Sequence, residues 1–175
     1  MPSARPALAA VVALVGFLLP AAPARAALVE LTCNVNVQLS FSPALTATQT
    51  TASVTGVANV VNCLSPSGNY SNLQSGTVSD ATGSIVSLGG VPCNLLATIT
   101  GRATIDWAPT GGHTTFDFTV NTNPLNGLVT LQTKQTSGPL TGTTSLTVGA
   151  ANPNLGCALG GLSSLTVPIG QTTFL

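Results

Sequence analysis

Three ionisable side chains fall in one short stretch of the chain: Asp106, His113 and Asp117. His113 is the sole histidine, so any serine nucleophile activated by a histidine base would have to use it. The G-x-S-x-G pattern that carries such a serine in many hydrolases is absent from the sequence. His113 also follows two glycines in "APTGGH", a turn in which a solvated histidine is ordinary. We therefore favour a surface histidine over a catalytic base.

Asp106 and Asp117 raise a second kind of chemistry, the paired carboxylates of a glycosidase. They occupy the outer positions of two strands predicted to pair, so they could face each other. Arg102 shares that outer side, and a weak surface ion-pair cluster of these three residues is the interpretation we favour. The sequence contains no calcium loop, phosphate-binding loop or dinucleotide fingerprint. We predict a protein that is not an enzyme and holds no cofactor.

The chain also contains four cysteines: Cys33, Cys63, Cys93 and Cys157. An even number of cysteines in an exported chain indicates two disulfides. We predict Cys33–Cys63, which closes a neighbouring pair of strands, and Cys93–Cys157, which ties the middle of the chain to its last strands. Other pairings stay open. Zinc is the alternative, and it is disfavoured because the chain lacks CxxC and has a single histidine.

Residues 1–26 have the pattern of a secretory signal peptide. Arg5 precedes an uncharged apolar run, and Ala24 and Ala26 place small residues where a signal peptidase cleaves. The run is shorter than the roughly 20 residues of a membrane-spanning helix, so an uncleaved anchor is the less favoured alternative. We predict one mature domain over residues 27–175 with no transmembrane segment. We expect it to be secreted or extracellular, with attachment to the cell surface left open.

The mature part would carry very little charge. Its basic residues are Arg102 and Lys134. Its acidic residues are Glu30, Asp80, Asp106 and Asp117, so the net formal charge is −2. Two scattered cations cannot neutralise a phosphate backbone or an anionic membrane, so nucleic acid and charged lipid are excluded as partners. With so little charge repulsion between copies, the surface favours self-association or adhesion to a neutral surface.

Alternating polar and apolar residues predict strands throughout the mature part. "LTCNVNVQLSF" places Cys33 on the inner side of a first strand over Leu28–Phe41. "ATITGRATIDW" and "TTFDFTV" predict a β-hairpin over Ala97–Val120, with Trp107 and the phenylalanines in the core. The first strand is expected to be covered or paired rather than left as an exposed edge.

Two other segments are less regular. The strand over Ala52–Cys63 has apolar residues on both sides, which burial of both faces or a bulge near Gly56 would explain. Residues 70–88 offer only short strand candidates. No ten-residue window after residue 27 has helical periodicity. The pattern predicts an all-β, antiparallel sandwich or barrel, immunoglobulin-like in the broad sense.

The layout resembles small secreted β-rich proteins of high-GC Gram-positive (actinobacterial) bacteria, a group without an assigned function. The residues that carry the resemblance are "CLSPSG", the Ser-Gly that precedes the third cysteine, and "TGRATIDWAPTGGHTTFDFTV". The resemblance implies secretion and a β-rich fold, and it implies no site.

These observations predict a secreted, non-enzymatic β protein with a structural or interaction role at or outside the cell surface. Its expected partner is an unknown protein or a cell-surface glycan, with self-association left open. The alternative is an extracellular protein- or glycan-binding module, including a protease inhibitor, that presents turns around Pro66, Pro109 and Pro139. A hydrolase that uses His113 with Asp106 or Asp117 is the third hypothesis.

Overall fold

A computed structural model describes residues 28–88, 96–110, 112–123, 127–154 and 157–175. The predicted signal peptide and Cys93 lie outside the described residues. Within the described ranges, no helix is long and apolar enough to cross a membrane.

The described chain forms nine strands and one short helix. In chain order they are β1 (Leu31–Leu45), β2 (Thr51–Leu64), β3 (Leu73–Ser87), β4 (Ala97–Pro109), β5 (Gly112–Asn123), β6 (Leu128–Ser137), β7 (Thr144–Ala150), β8 (Asn152–Pro153), α1 (Cys157–Gly160) and β9 (Leu162–Phe174). The four-residue helix α1 is the one departure from the predicted all-β content.

The strands close into an eight-stranded antiparallel barrel. Strands β1 to β7 pair in sequence order, β7 pairs with β9, and β9 pairs back with β1. The closing register runs from Leu31 opposite Phe174 to Leu45 opposite Leu162, and the short β8 adds to the edge of β9. The predicted antiparallel all-β class and its barrel alternative are confirmed. The sandwich and the immunoglobulin-like layout were wrong, because pairing of the first and last strands joins everything into one sheet.

Strand β1 has the alternation that its sequence predicts. Leu31, Cys33 and Val35 are buried. Asn34, between Cys33 and Val35, and Asn36, directly after Val35, are exposed. The strand pairs with β2 on one side and β9 on the other, so the expectation of a protected first strand is confirmed. Closure of the barrel therefore removes an edge that would otherwise template aggregation.

The mixed pattern of β2 has two causes. The first is that Val57 and Val61 are apolar but exposed, and the strand keeps one inward parity from Val54 to Val60. The irregularity expected near Gly56 is present, but its extra residue belongs to β3, where the two residues between Ala81 and Val78 face one residue of β2.

The second cause is a bulge further along β2. Asn62 has a positive φ of 54°, and the β1–β2 register shifts at the same place. This bulge turns Cys63 toward the barrel interior, where it bonds Cys33.

Strand β3 is one long strand rather than the short pieces expected from residues 70–88. Its inward positions change parity between Val78 and Ala81, so Ser79 and Asp80 form a bulge against β4. The Asp80 carboxylate accepts a hydrogen bond from the Thr104 backbone N–H at 2.9 Å, which satisfies a donor beside the bulge. A simple period-two pattern cannot describe such a strand, and this accounts for the missed prediction.

The predicted hairpin over residues 97–120 is confirmed as β4 and β5, and both strands bury the expected side. Trp107 and the phenylalanines of the described chain lie in the core, and the Trp107 and Phe174 rings meet edge to face at 6.3 Å between centroids. The Trp107 indole N–H donates to the buried Thr114 hydroxyl at 2.9 Å. These contacts close one end of the barrel.

Candidate functional site

His113 and Asp106 form a pair on the outside of the barrel. They lie opposite each other in the β4–β5 register, and His113 Nδ1 is 2.5 Å from an Asp106 carboxylate oxygen. The two side chains are 76% and 51% exposed. Among the described residues, no serine or threonine hydroxyl is hydrogen-bonded to His113, so the pair has a base and an orienting acid without a nucleophile.

Asp117 belongs to a different pair. Arg102 Nε donates to Asp117 Oδ1 at 2.8 Å across β4 and β5. That hydrogen bond is the main cause that holds the pKa of Asp117 below its usual range; partial loss of hydration opposes it, and the charges of Arg102 and Lys134 add to the lowering. The same bond raises the pKa of Arg102. Both side chains are largely exposed, so solvent screens the pair.

The expected cluster of Arg102, Asp106 and Asp117 is therefore wrong, and the two carboxylates do not face each other. Register explains the difference. Asp117 lies opposite Arg102, whereas Asp106 is four positions further along β4, opposite His113. That separation is roughly 13 Å at the rise of an extended strand. Among the described residues, the outer surface of this hairpin therefore carries two separate pairs, the Arg102–Asp117 salt bridge and the His113–Asp106 hydrogen bond.

All charged side chains within the strands lie on one half of the barrel. They are Asp80 on β3, Arg102 and Asp106 on β4, Asp117 on β5 and Lys134 on β6, with His113 also on β5. Lys134 lies beside Asp117 in the β5–β6 register, so Arg102, Asp117 and Lys134 form a row across three strands. Opposite charges alternate along this row.

The other half of the barrel is free of charge within its strands. We define the uncharged face as the outer sides of β9, β1 and β2, strands that contain no acid, lysine, arginine or histidine. Its exposed amides include Asn34, Asn36, Gln38, Asn59 and Gln171. They form cross-strand neighbours in the register: Asn36 opposite Asn59, and Asn34 opposite Gln171.

Apolar side chains are interleaved with these amides. Val57, Val61 and Ile169 are 47%, 43% and 79% exposed on the same strands. The Asn36 amide donates to the Pro168 carbonyl at 2.9 Å, so it is held flat against β9. A face of amides and small apolar groups can exchange hydrogen bonds and bury area without removing any charge from water.

One end of the barrel gathers the three predicted proline turns. The turns β2–β3, β4–β5 and β6–β7 all lie at this end because the strands alternate in direction. Pro66, Pro109 and Pro139, one from each turn, are exposed. We call this the proline end. The three turns were predicted from the sequence, and the barrel topology places them at the same end.

The predicted disulfide Cys33–Cys63 is confirmed. The second predicted pairing involves Cys93, which lies outside the described residues, so Cys93–Cys157 stays a prediction. Cys157 itself is buried at the start of α1. Peptide mapping of the oxidised protein, with a cross-linked peptide that contains residues 93 and 157, tests it.

The barrel interior contains a feature that the sequence-based reasoning missed. A cavity of about 70 Å³ lies among the inward side chains, and part of its wall is polar. The signal was present in "TSLTV", where Ser145 and Thr147 alternate with Leu146 and Val148. In the structure the polar residues of this strand point inward, and Leu146 and Val148 point outward.

Within the described ranges, no group of three or more histidine, cysteine, aspartate or glutamate side chains is placed to hold a metal ion. No family model and no curated protein matches the chain.

Proposed function

We propose that this chain is an exported, non-enzymatic β-barrel with a structural or interaction role at or outside the cell surface, and that it acts through its uncharged face. The partner is a neutral surface, either a glycan or another copy of the chain. The observation that carries the proposal is the segregation of charge: every charged side chain within the strands lies on β3 to β6, opposite the uncharged face.

Two features of that face support adhesion. Its exposed amides present paired donors and acceptors that match hydroxyl and amide groups of a neutral partner. Val57 and Ile169 add apolar area that contact would remove from water. Glu30, the residue before β1, lies beside the face, and its carboxylate accepts a hydrogen bond from the Ser67 hydroxyl at 3.2 Å. Since the face carries no charge within its strands, charge repulsion between two copies that meet through it is small.

The disulfide supports export. Cys33 and Cys63 are joined across β1 and β2, and such bonds persist in oxidising compartments outside the cytoplasm. With the signal-peptide pattern of residues 1–26, this favours secretion of residues 27–175.

The test uses the oxidised mature chain, residues 27–175, incubated with envelope material and culture medium of the producing organism. A face variant carries Gln38→Lys and Gln171→Lys, which place two charges on the uncharged face. A matched control carries Ser84→Lys and Gln132→Lys, which place the same charges at exposed outer positions of β3 and β6. We expect the face variant to lose retention on its partner and the control to keep it.

Light scattering of each variant distinguishes the two kinds of partner. A wild-type oligomer that the face variant dissociates identifies a second copy. A wild-type monomer that is still retained on envelope glycan identifies a neutral polysaccharide.

A second candidate function rests on the proline end. Three exposed turns converge there, as a protein-binding module or a protease inhibitor would require. An end variant, Asn69→Lys with Thr110→Lys, places charge on two of these turns. If the end variant loses capture of a protein partner while the face variant retains it, the binding-module function is the correct one.

The hypothesis of a hydrolase that uses His113 is tested separately, by an activity assay. Turnover of an ester, peptide or glycan by the monodisperse protein, abolished by His113→Ala, would contradict the proposal. Because His113 and Asp106 are exposed and, among the described residues, their side chains pair with each other and with no nucleophile, we expect no such turnover.

A further inference from the structure

The cavity inside the barrel has two chemically different walls. Most of its lining is aliphatic or aromatic, contributed largely by β1 to β5. The polar remainder comes from β6, β7 and β9, and we call it the polar wall. Its members are Thr133, Gln135, Ser145, Thr147 and Thr172, all of which are buried.

Strand β7 shows that the polar wall is a specific feature of the sequence. Ser145 and Thr147 point inward, while Leu146 and Val148 point outward and are each 44% exposed. A strand that only had to fill a core would place the leucine and valine inside. Departures of this kind from the expected pattern concentrate at functional sites.

The hydrogen bonds of the polar wall leave a donor unused. Gln135 Nε2 donates to Thr133 Oγ1 at 2.6 Å, and Thr133 Oγ1 lies 2.7 Å from Ser145 Oγ. One hydroxyl proton of the Thr133–Ser145 pair fills the bond between them, and the other has no acceptor among the described residues. The wall can therefore donate to an oxygen atom inside the cavity.

We propose that the barrel interior binds a small neutral molecule that has a short aliphatic body and one hydrogen-bond acceptor oxygen. The aliphatic body packs against Val35, Val60 and Ile105, and the oxygen accepts from the polar wall. A charged ligand is disfavoured because no ionised side chain lines the cavity to compensate its lost hydration.

The volume limits the ligand to a few non-hydrogen atoms. A cavity of about 150 Å³ accepts benzene, and this cavity is about half that size. Acetone is a probe of suitable size and chemistry. Isobutene is its matched hydrocarbon, because a methylene group replaces the carbonyl oxygen in an otherwise similar shape.

The experiment titrates each probe into the oxidised chain 27–175 and follows the methyl groups by NMR. We expect acetone to shift the interior methyl signals of Val35, Val60 and Ile105 saturably. The outer methyl groups of Val86 and Val148 should not follow the same curve, since both are exposed.

Variants then test the polar wall. The Thr147 hydroxyl also lines the cavity and has no hydrogen-bond partner among the described residues, so it is a second donor available to the ligand. Thr147→Val removes this donor and leaves the Gln135–Thr133–Ser145 chain of hydrogen bonds intact, so folding should be preserved. We expect it to weaken acetone binding by about threefold to tenfold, the effect of one hydrogen bond, and to leave isobutene binding unchanged. Thr100→Val, at an exposed outer position of β4, is the control and should alter neither affinity.

Three results would overturn the proposal: interior methyl signals that do not respond to acetone, shifts confined to outer methyl groups, or equal responses of wild type and Thr147→Val to acetone. The first would mean that the cavity holds water alone. The uncharged face lies on the outside of the barrel, so failure here leaves the proposed function standing.

Discussion

The Cα atoms of Cys33 and Cys63 lie 4.1 Å apart across β1 and β2, although Cys63 shares the parity of Val57 and Val61, which are exposed on the outer side of β2. The bulge at Asn62 reconciles the two by turning the chain before the cysteine. A local backbone irregularity thus places a covalent link inside the barrel, close to the first residues of β1.

The disulfide should contribute substantially to stability. It closes a loop of 30 residues, for which loop entropy corresponds to about 3–4 kcal/mol. The double variant Cys33→Ala, Cys63→Ala should therefore lower the free energy of unfolding in urea by about that amount. An unchanged unfolding midpoint would mean that the link constrains nothing in the unfolded chain.

Asn62 should tolerate glycine and reject a β-branched residue. Its φ of 54° is accessible to asparagine and glycine and is strained for valine. We expect Asn62→Gly to preserve stability and Asn62→Val to lower the free energy of unfolding by about 1–2 kcal/mol. Asn59→Val, at an exposed extended position of the same strand, is the control and should have little effect. Equal losses for both valine variants would contradict the role of the bulge.

Gly101 should not accept a side chain. A Cβ there would lie 2.2 Å from the Thr82 carbonyl oxygen and 2.5 Å from the Phe118 ring. Gly101→Ala should cost about 1–3 kcal/mol by overpacking, measured by thermal and urea unfolding. Gly160→Ala is the control, since nothing lies within 4 Å of its added Cβ. A stable Gly101→Ala protein would show that β3 and β4 can separate at this point.

Asp117 should titrate below the usual range of an aspartate. Its pKa is lowered chiefly by the hydrogen bond from Arg102. A depressed folded-state pKa stabilises the protein above the unfolded-state pKa, and that contribution is lost as pH falls through the folded-state pKa. Carboxyl NMR titration should show a low midpoint that rises in Arg102→Gln. The same midpoint in both proteins would show that the pair does not form in solution.

The regular strands were predictable, and the irregular ones were not. Strands β1, β4 and β5 alternate without interruption over their central residues, so the buried sides of Cys33, Trp107 and Phe118 followed from the sequence. Strand β2 contains a bulge at Asn62 and β3 contains one at Ser79 and Asp80, and each bulge reverses the parity on which that reasoning depends.

The candidate sites show the same division. The outward positions of Asp106 and Asp117 were predictable, but their partners depended on a register that spacing alone does not give. The polar wall was missed because Ser145 and Thr147 point inward against the usual preference for burying leucine and valine. Closure of the barrel, which creates both the uncharged face and the proline end, depends on the pairing of β1 with β9, residues far apart in the chain.

The most direct test of the central claim compares one quantity between two proteins: the fraction of mature protein that remains bound to its partner in the producer's envelope. We predict that the face variant, Gln38→Lys with Gln171→Lys, loses at least tenfold in retention (about 1.4 kcal/mol of binding free energy) while the Ser84→Lys, Gln132→Lys control matches wild type. Equal retention of the face variant and wild type would contradict a function carried by the uncharged face.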